Sequence, residues 1–129
     1  MFCSNLNGHP QFPKHTHLLL CLLLGRAGYR RIGCFKDTGN RAIKGRYVNY
    51  NANTAIRQCA QRAKQLGASV FAVQHNVQCF TNKNAFITYA VWGRANGCRN
   101  GRGGTWRMDV YKLTGTFFIL SIGPVVMGN

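Results

Sequence analysis

The stretch from residue 53 to residue 81 constrains the fold more than any other part of the chain. In its first half, apolar residues recur at three- and four-residue steps, as they do in a helix with one apolar face. These residues are Ile56, Cys59, Ala60, Ala63 and Leu66. Asn53 or Thr54 can cap the start of such a helix, and Gly67 can adopt the left-handed conformation that ends it. The pattern therefore predicts a helix that ends at Gly67.

After Gly67 the apolar residues are contiguous and β-branched or aromatic, which predicts a short buried strand. His75 and Asn76 form the predicted turn into a second strand that carries Cys79. A disulfide between Cys59 and Cys79 would hold the helix across the two strands. We expect the core to contain Ile56, Ala60, Ala63, Leu66, Val70, Ala72 and Val110. We expect the solvent-exposed side of the helix to carry Arg57, Arg62 and Lys64.

The charge of the chain is strongly one-sided. Among 129 residues, enough for one domain, seventeen Lys and Arg face two carboxylates, Asp37 and Asp109, and the formal net charge is +15. A surface of this kind attracts polyanions such as sulfated or acidic glycans, anionic membranes or nucleic acid. The charge thus indicates the sign of a partner and not its identity.

Both ends of the chain differ from its middle. Residues 1–27 end in a leucine-rich run followed by Gly25 and Ala27, which predicts a signal peptide cleaved after Ala27. A buried helix end or a mis-assigned start codon is the alternative. Residues 116–129 form an apolar tail that is too short and too interrupted to span a bilayer. One domain, residues 28–115, lies between them, and we expect no transmembrane span.

Four cysteines fall within this domain: Cys34, Cys59, Cys79 and Cys98. An even number of widely spaced cysteines in a small exported domain predicts two disulfides. A zinc site is the competing interpretation, but no two of these cysteines are near neighbours in sequence, and His75 is the domain's one histidine. We therefore expect no metal and no cofactor.

The remaining segments indicate an α+β fold with long irregular loops. A first strand leads into an Asp-Thr-Gly-Asn turn, where Asp37 should bind backbone N–H groups or pair with Arg41. Residues 47–50 are either a second edge strand or an ordered loop. Strict alternation over residues 106–111 predicts a half-buried strand with Trp106, Met108 and Val110 on one face, beside the first strand. One main helix would then pack across an antiparallel sheet.

Residues 82–105 are rich in Asn, Gly and Arg and lack a periodic pattern, so they predict a long loop of the kind in which binding sites are often built. Glycans need an aromatic surface flanked by amides and charges. The candidate ligand-binding residues are Tyr89, Trp92, Asn96, Arg99, Asn100 and Trp106. Trp92 and Arg99 are the predicted principal contacts, although each aromatic side chain could equally be part of the core.

Several short motifs resemble a WSC domain and, more loosely, PAN/apple modules. They are Gly33-Cys34-Phe35-Lys36-Asp37, residues 41–43, the helix start at 54–59, residues 71–74 leading to 78–80, Cys98 before Gly103-Gly104, and Val110-Tyr111. The resemblance covers residues 30–113 and implies extracellular carbohydrate binding without catalysis. The family usually has two further cysteines, which would fall near Ala63 and Thr81 and are missing here. Of the three connectivities open to the remaining four, we favour Cys34 with Cys98 and Cys59 with Cys79.

The leading hypothesis is a secreted, non-catalytic module that recognises extracellular or cell-surface glycans. The alternative is a cationic defence or matrix protein that binds polyanions or anionic membranes through net charge. An enzyme is disfavoured because Asp37, Asp109 and His75 do not make a convincing nucleophile, base and orienting group. Nucleic acid fits the charge but conflicts with export and disulfides, and we do not expect it as a partner.

Overall fold

A computed structural model describes residues 28–115, so the predicted signal peptide and the apolar tail lie outside the described residues. The strands and helices lie between Tyr29 and Leu113 and form one compact unit. In chain order they are β1 (Tyr29–Lys36), β2 (Val48–Asn49), α1 (Ala55–Leu66), β3 (Val70–Gln74), β4 (Gln78–Thr81), α2 (Ala85–Thr88) and β5 (Arg107–Leu113). The five strands form one antiparallel sheet in the order β1-β5-β3-β4-β2. The predicted α+β fold is confirmed.

Helix α1 lies close to β3 and β4 because the side chains beneath it are small. Ala55, Cys59, Ala60 and Ala63 are the buried residues of the helix. Gly67 ends it in the left-handed conformation, with φ of 76°, and its N–H donates to the carbonyl of Lys64. A disulfide joins Cys59 to Cys79 on β4, and a second joins Cys34 on β1 to Cys98. These are the two pairs favoured from the sequence, and such bonds are typical of extracellular proteins.

Two of the predicted core residues on α1 are not buried. Leu66 is 38% exposed, and Ile56 is half-buried. Leu66 lies on the same side of the helix as the buried residues. It is exposed because it is the last helical residue, beyond the part of the helix that the sheet covers. Arg57 is exposed as expected, whereas Arg62 and Lys64 are half-buried.

The sheet is covered on both faces. Phe71, Val73, Cys79, Asp109 and Tyr111 alternate with Val70, Ala72, Phe80, Met108 and Val110, and all ten residues are buried. Helix α1 covers the first set, because Cys59 on the helix bonds to Cys79. The second set packs with Phe35, Ala42, Ile43 and Ala85. We call this second side of the sheet the loop face, because residues 38–46 and 82–92 cover it.

The last strand differs from its prediction at its start. Trp106 precedes β5, has φ of +57° and is 47% exposed, so it does not share a buried face with Met108 and Val110. Positive φ turns the chain at this residue and takes its side chain out of the strand alternation. The strand pairs with β1, as predicted, but it also pairs with β3 and is buried on both faces.

The helices within residues 28–115 are short, and neither has the length and apolar character needed to cross a bilayer.

Candidate functional site

A groove opens where β1 ends and β5 begins. It has a volume of about 720 Å³, within the range of small-ligand sites. Three segments meet there: the end of β1, the loop at 94–96 and the turn at 105–107. The side chains that give the groove its chemistry are Lys36, Asp37, Arg94, Asn96, Trp106 and Arg107. Cations, an amide and an aromatic ring are therefore brought together from distant parts of the sequence.

The wall formed by residues 93–96 is fixed against β1. The N–H of Lys36 donates to Gly93 O at 3.0 Å, and the N–H of Ala95 donates to Cys34 O at 3.0 Å. The disulfide from Cys34 to Cys98 anchors the same segment covalently. This wall is thus ordered before any ligand arrives, which lowers the entropic cost of binding.

The facing wall is a tight turn that leads into β5. Gly104 and Arg107 exchange backbone hydrogen bonds, and the N–H of Asp37 donates to Trp106 O at 3.0 Å. Two side chains of β5 hold the loop that precedes this turn. Gly103 N–H donates to a carboxylate oxygen of Asp109 at 2.8 Å, and the Tyr111 hydroxyl donates to Gly101 O at 2.6 Å.

The carboxylate of Asp37 forms part of the groove floor but is occupied by the protein itself. Its oxygens accept hydrogen bonds from Ala42 N–H at 2.9 Å and from the Arg41 guanidinium at 2.7 Å, which confirms both of the partners expected for it. The Gln74 amide, turned so that both its ends are satisfied, also donates to Asp37. Asp37 is buried and neutralised, and it serves as a structural anchor.

Trp106 is held in place by the same arginine. The Arg41 guanidinium lies between two rings, 5.0 Å from the centroid of Phe80 and 4.9 Å from that of Trp106. It covers one face of the indole, while 47% of the residue is exposed. The groove therefore carries an aromatic surface whose orientation is set by a salt bridge at its base.

Three cations line the groove together with Trp106. Lys36 and Arg107 are paired directly across the β1–β5 ladder. The Arg94 guanidinium lies 4.9 Å from the centre of the Phe35 ring. It also crosses Gly33, where a Cβ atom would approach Arg94 Nη1 to 2.7 Å. Glycine at position 33 thus allows Arg94 to lie flat against the domain beside the groove.

The second aspartate, Asp109, is also paired with groups of the protein itself. Asp109 is completely buried, and one of its oxygens lies 2.6 Å from the Arg31 guanidinium while the other accepts the Gly103 N–H. Burial, together with the adjacent Asp109 carboxylate, raises the pKa of Tyr111 to about 12. Both acids of the chain therefore neutralise arginines internally.

The structure separates the six candidate ligand-binding residues. Asn96 and Trp106 line the groove. Trp92 lies outside it, and its indole N–H donates to Asn40 O at 2.9 Å. Tyr89 packs edge-on against Phe35 with ring centroids 5.1 Å apart. Arg99 and Asn100 are exposed in the turn that Arg102 N–H closes onto Arg99 O, away from the groove lining.

Three residues of the groove were not among the candidate ligand-binding residues: Lys36, Arg94 and Arg107. The signal that could have found two of them is the register of β1 with β5, which places Lys36 opposite Arg107. Residues 28–115 contain no group of three His, Cys, Asp or Glu side chains that could hold a metal ion.

No protein-family model matches the chain, and no curated protein matches it.

Proposed function

We propose that this protein is an extracellular, WSC-like carbohydrate-binding module without catalytic activity, and that the groove beside Trp106 receives the glycan. The observation that carries the proposal is the fixed, partly exposed indole of Trp106 beside the Asn96 amide in a preformed groove. Sugar rings stack their C–H faces on aromatic rings, and their hydroxyls need amide and charged partners nearby. The groove supplies both kinds of group.

The cations of the groove favour a glycan with acidic substituents. Lys36 and Arg107 face each other across two strands, and like charges in that position destabilise a sheet. The nearby carboxylate of Asp37 is already neutralised by Arg41, so it does not offset them. A sulfate or carboxylate group bound between Lys36 and Arg107 relieves this repulsion.

Replacing each of the two tryptophans in turn tests the location of the site. Trp106→Ala should weaken binding to glycans identified on an array by at least about tenfold, because an aromatic stacking surface is lost. Trp92→Ala is the matched control, since Trp92 is also partly exposed but lies outside the groove. Thermal unfolding of both variants shows whether either change disturbs the fold.

The proposal fails if Trp106→Ala keeps full affinity while remaining folded. If Trp92→Ala alone abolishes binding, a glycan site exists elsewhere on the loop face and the groove is not that site.

The second candidate function is polyanion binding through net charge. It is supported because both aspartates are paired with arginines, so they do not offset the other cations. Lys36→Gln/Arg107→Gln removes two charges at the groove. Arg30→Gln/Lys112→Gln removes two charges from a cross-strand pair at the opposite end of the same ladder. Binding to a sulfated polysaccharide is then measured at rising salt.

Equal losses of affinity in the two double variants, with a steep salt dependence, favour net charge as the cause. A much larger loss in the groove variant favours a local site.

A further inference from the structure

A short exposed segment on the loop face carries four large apolar side chains. Phe86 is 55% exposed, Ile87 66%, Val91 61% and Trp92 38%. We call these four residues the apolar tip. Of helix α2, which supplies the first two, Ala85 is the buried residue that attaches it to the core. Large apolar side chains exposed together within one short segment indicate a candidate interaction site.

One cation, Lys44, is fixed beside the apolar tip. Lys44 lies beside Trp92, because Asn40 accepts a hydrogen bond from each of them: its carbonyl from the indole, and its side-chain oxygen from Lys44 Nζ. The Asn82 amide donates to the carbonyl of Lys44, which joins this loop to the start of the tip segment. Lys83 and Arg94 flank the segment in sequence, but the Lys83 side chain lies near Gly67 and the Arg94 guanidinium lies over the Phe35 ring.

The two acidic side chains of the sequence do not offset this charge. Asp37 is held by Arg41, and Asp109 by Arg31. The tip therefore combines exposed apolar side chains with a neighbouring lysine whose charge no acidic side chain offsets.

We propose that the apolar tip inserts into the interface of an anionic lipid bilayer, with Lys44 contacting the headgroups. Apolar side chains bordered by lysine and arginine are the combination that binds anionic membrane surfaces. Trp92 is suited to such an interface because its indole is apolar and its N–H is already satisfied by Asn40. A second copy of the chain is a poorer occupant, because two tips brought together would oppose the same cations.

The membrane proposal does not depend on glycan binding. Arg94 lines the groove, and the inserted side chains belong to the tip alone. Failure of one proposal therefore leaves the other in place.

Co-sedimentation of the full chain with phosphatidylcholine vesicles, with and without phosphatidylserine, tests the proposal. Wild-type protein should bind the phosphatidylserine vesicles and leave the neutral ones largely free. Ile87→Gln/Val91→Gln should lower the partition coefficient at least about tenfold, since two inserted apolar side chains are lost. Leu66→Gln is the matched control, because Leu66 is an exposed apolar residue on α1, outside the tip, and should leave binding unchanged.

A second measurement reports insertion directly. In a Trp106→Phe background Trp92 is the remaining tryptophan, and its emission should shift to the blue and be quenched by brominated lipid in phosphatidylserine vesicles. Binding with no spectral change at Trp92, or equal binding by wild type and Ile87→Gln/Val91→Gln, overturns the proposal. Concentration-dependent dimerisation that the double variant abolishes, without vesicle binding by wild type, assigns the tip to self-association and also overturns it.

Discussion

Replacing Ile43 with alanine should lower the free energy of unfolding more than replacing Leu66, although the helical pattern places Leu66 in the core. Ile43 lies in an irregular segment and is 1% exposed, whereas Leu66 lies on α1 and is 38% exposed. Each substitution removes the same number of carbon atoms. At about 0.8 kcal/mol for each buried methylene, Ile43→Ala loses roughly 2.5 kcal/mol of transfer free energy, and the cavity brings the total to about 2–5 kcal/mol.

Leu66→Ala should cost about 1 kcal/mol or less, because the side chain is partly in water and alanine is the better helix former. Urea denaturation of both variants measures these costs as shifts of the midpoint at constant slope. A larger loss at Leu66 than at Ile43 would refute the packing described for the loop face. Equal losses would mean that the end of α1 is covered after all.

Three further outcomes are expected. Because the pKa of Tyr111 rises to about 12 on folding from a usual value of 10.0, the unfolding free energy should fall as pH increases from 10 to 12. The fall should be roughly 2–3 kcal/mol, and Tyr111→Phe should remove it from denaturation curves recorded against pH. Cys59→Ala/Cys79→Ala should lose about 2–4 kcal/mol in chemical denaturation, and a native-like stability would contradict the bridge's role. Arg31→Met should cost about 3 kcal/mol by leaving Asp109 buried without its cation, and adding Asp109→Asn should recover part of that loss in a double-mutant cycle.

The parts of the fold that sequence reasoning found are those with a local signal. The three- and four-residue spacing from Cys59 to Ala63 marks the buried side of α1, and Gly67 marks its end. The contiguous apolar run from Val70 indicates a strand buried on both faces, and β3 has that structure. In each case the residues themselves carry the pattern that burial requires.

Burial that depends on the path of a loop has no such signal. Ile43 is isolated in a polar stretch, and it is buried because residues 38–46 fold back over the sheet. Trp106 extends the alternation of β5 by one residue, so the pattern predicted it inside, but its positive φ turns it outward.

The groove could be predicted in part. Asn96 and Trp106 were chosen for their chemistry, and both line it. Lys36 was not chosen, because its neighbour Arg107 is close only through the register of two strands that are distant in sequence. Arg94 reaches the groove through the path of the loop that carries it, which no spacing of residue types encodes.

The central position of β3 affects how the protein behaves when it is partly unfolded. Its sequence, Val-Phe-Ala-Val-Gln, is apolar, uncharged and rich in β-formers, which is the composition of segments that seed amyloid. In the native sheet it is flanked by β4 and β5, and the outermost strands are poor templates for a further chain. On one side β2 is two residues long; on the other, β1 carries exposed Arg30 and Arg31 and is already paired near its end with residues 93–95. Reducing the bond from Cys59 to Cys79 loosens the helix over this segment, so thiol-reducing conditions should promote fibril formation.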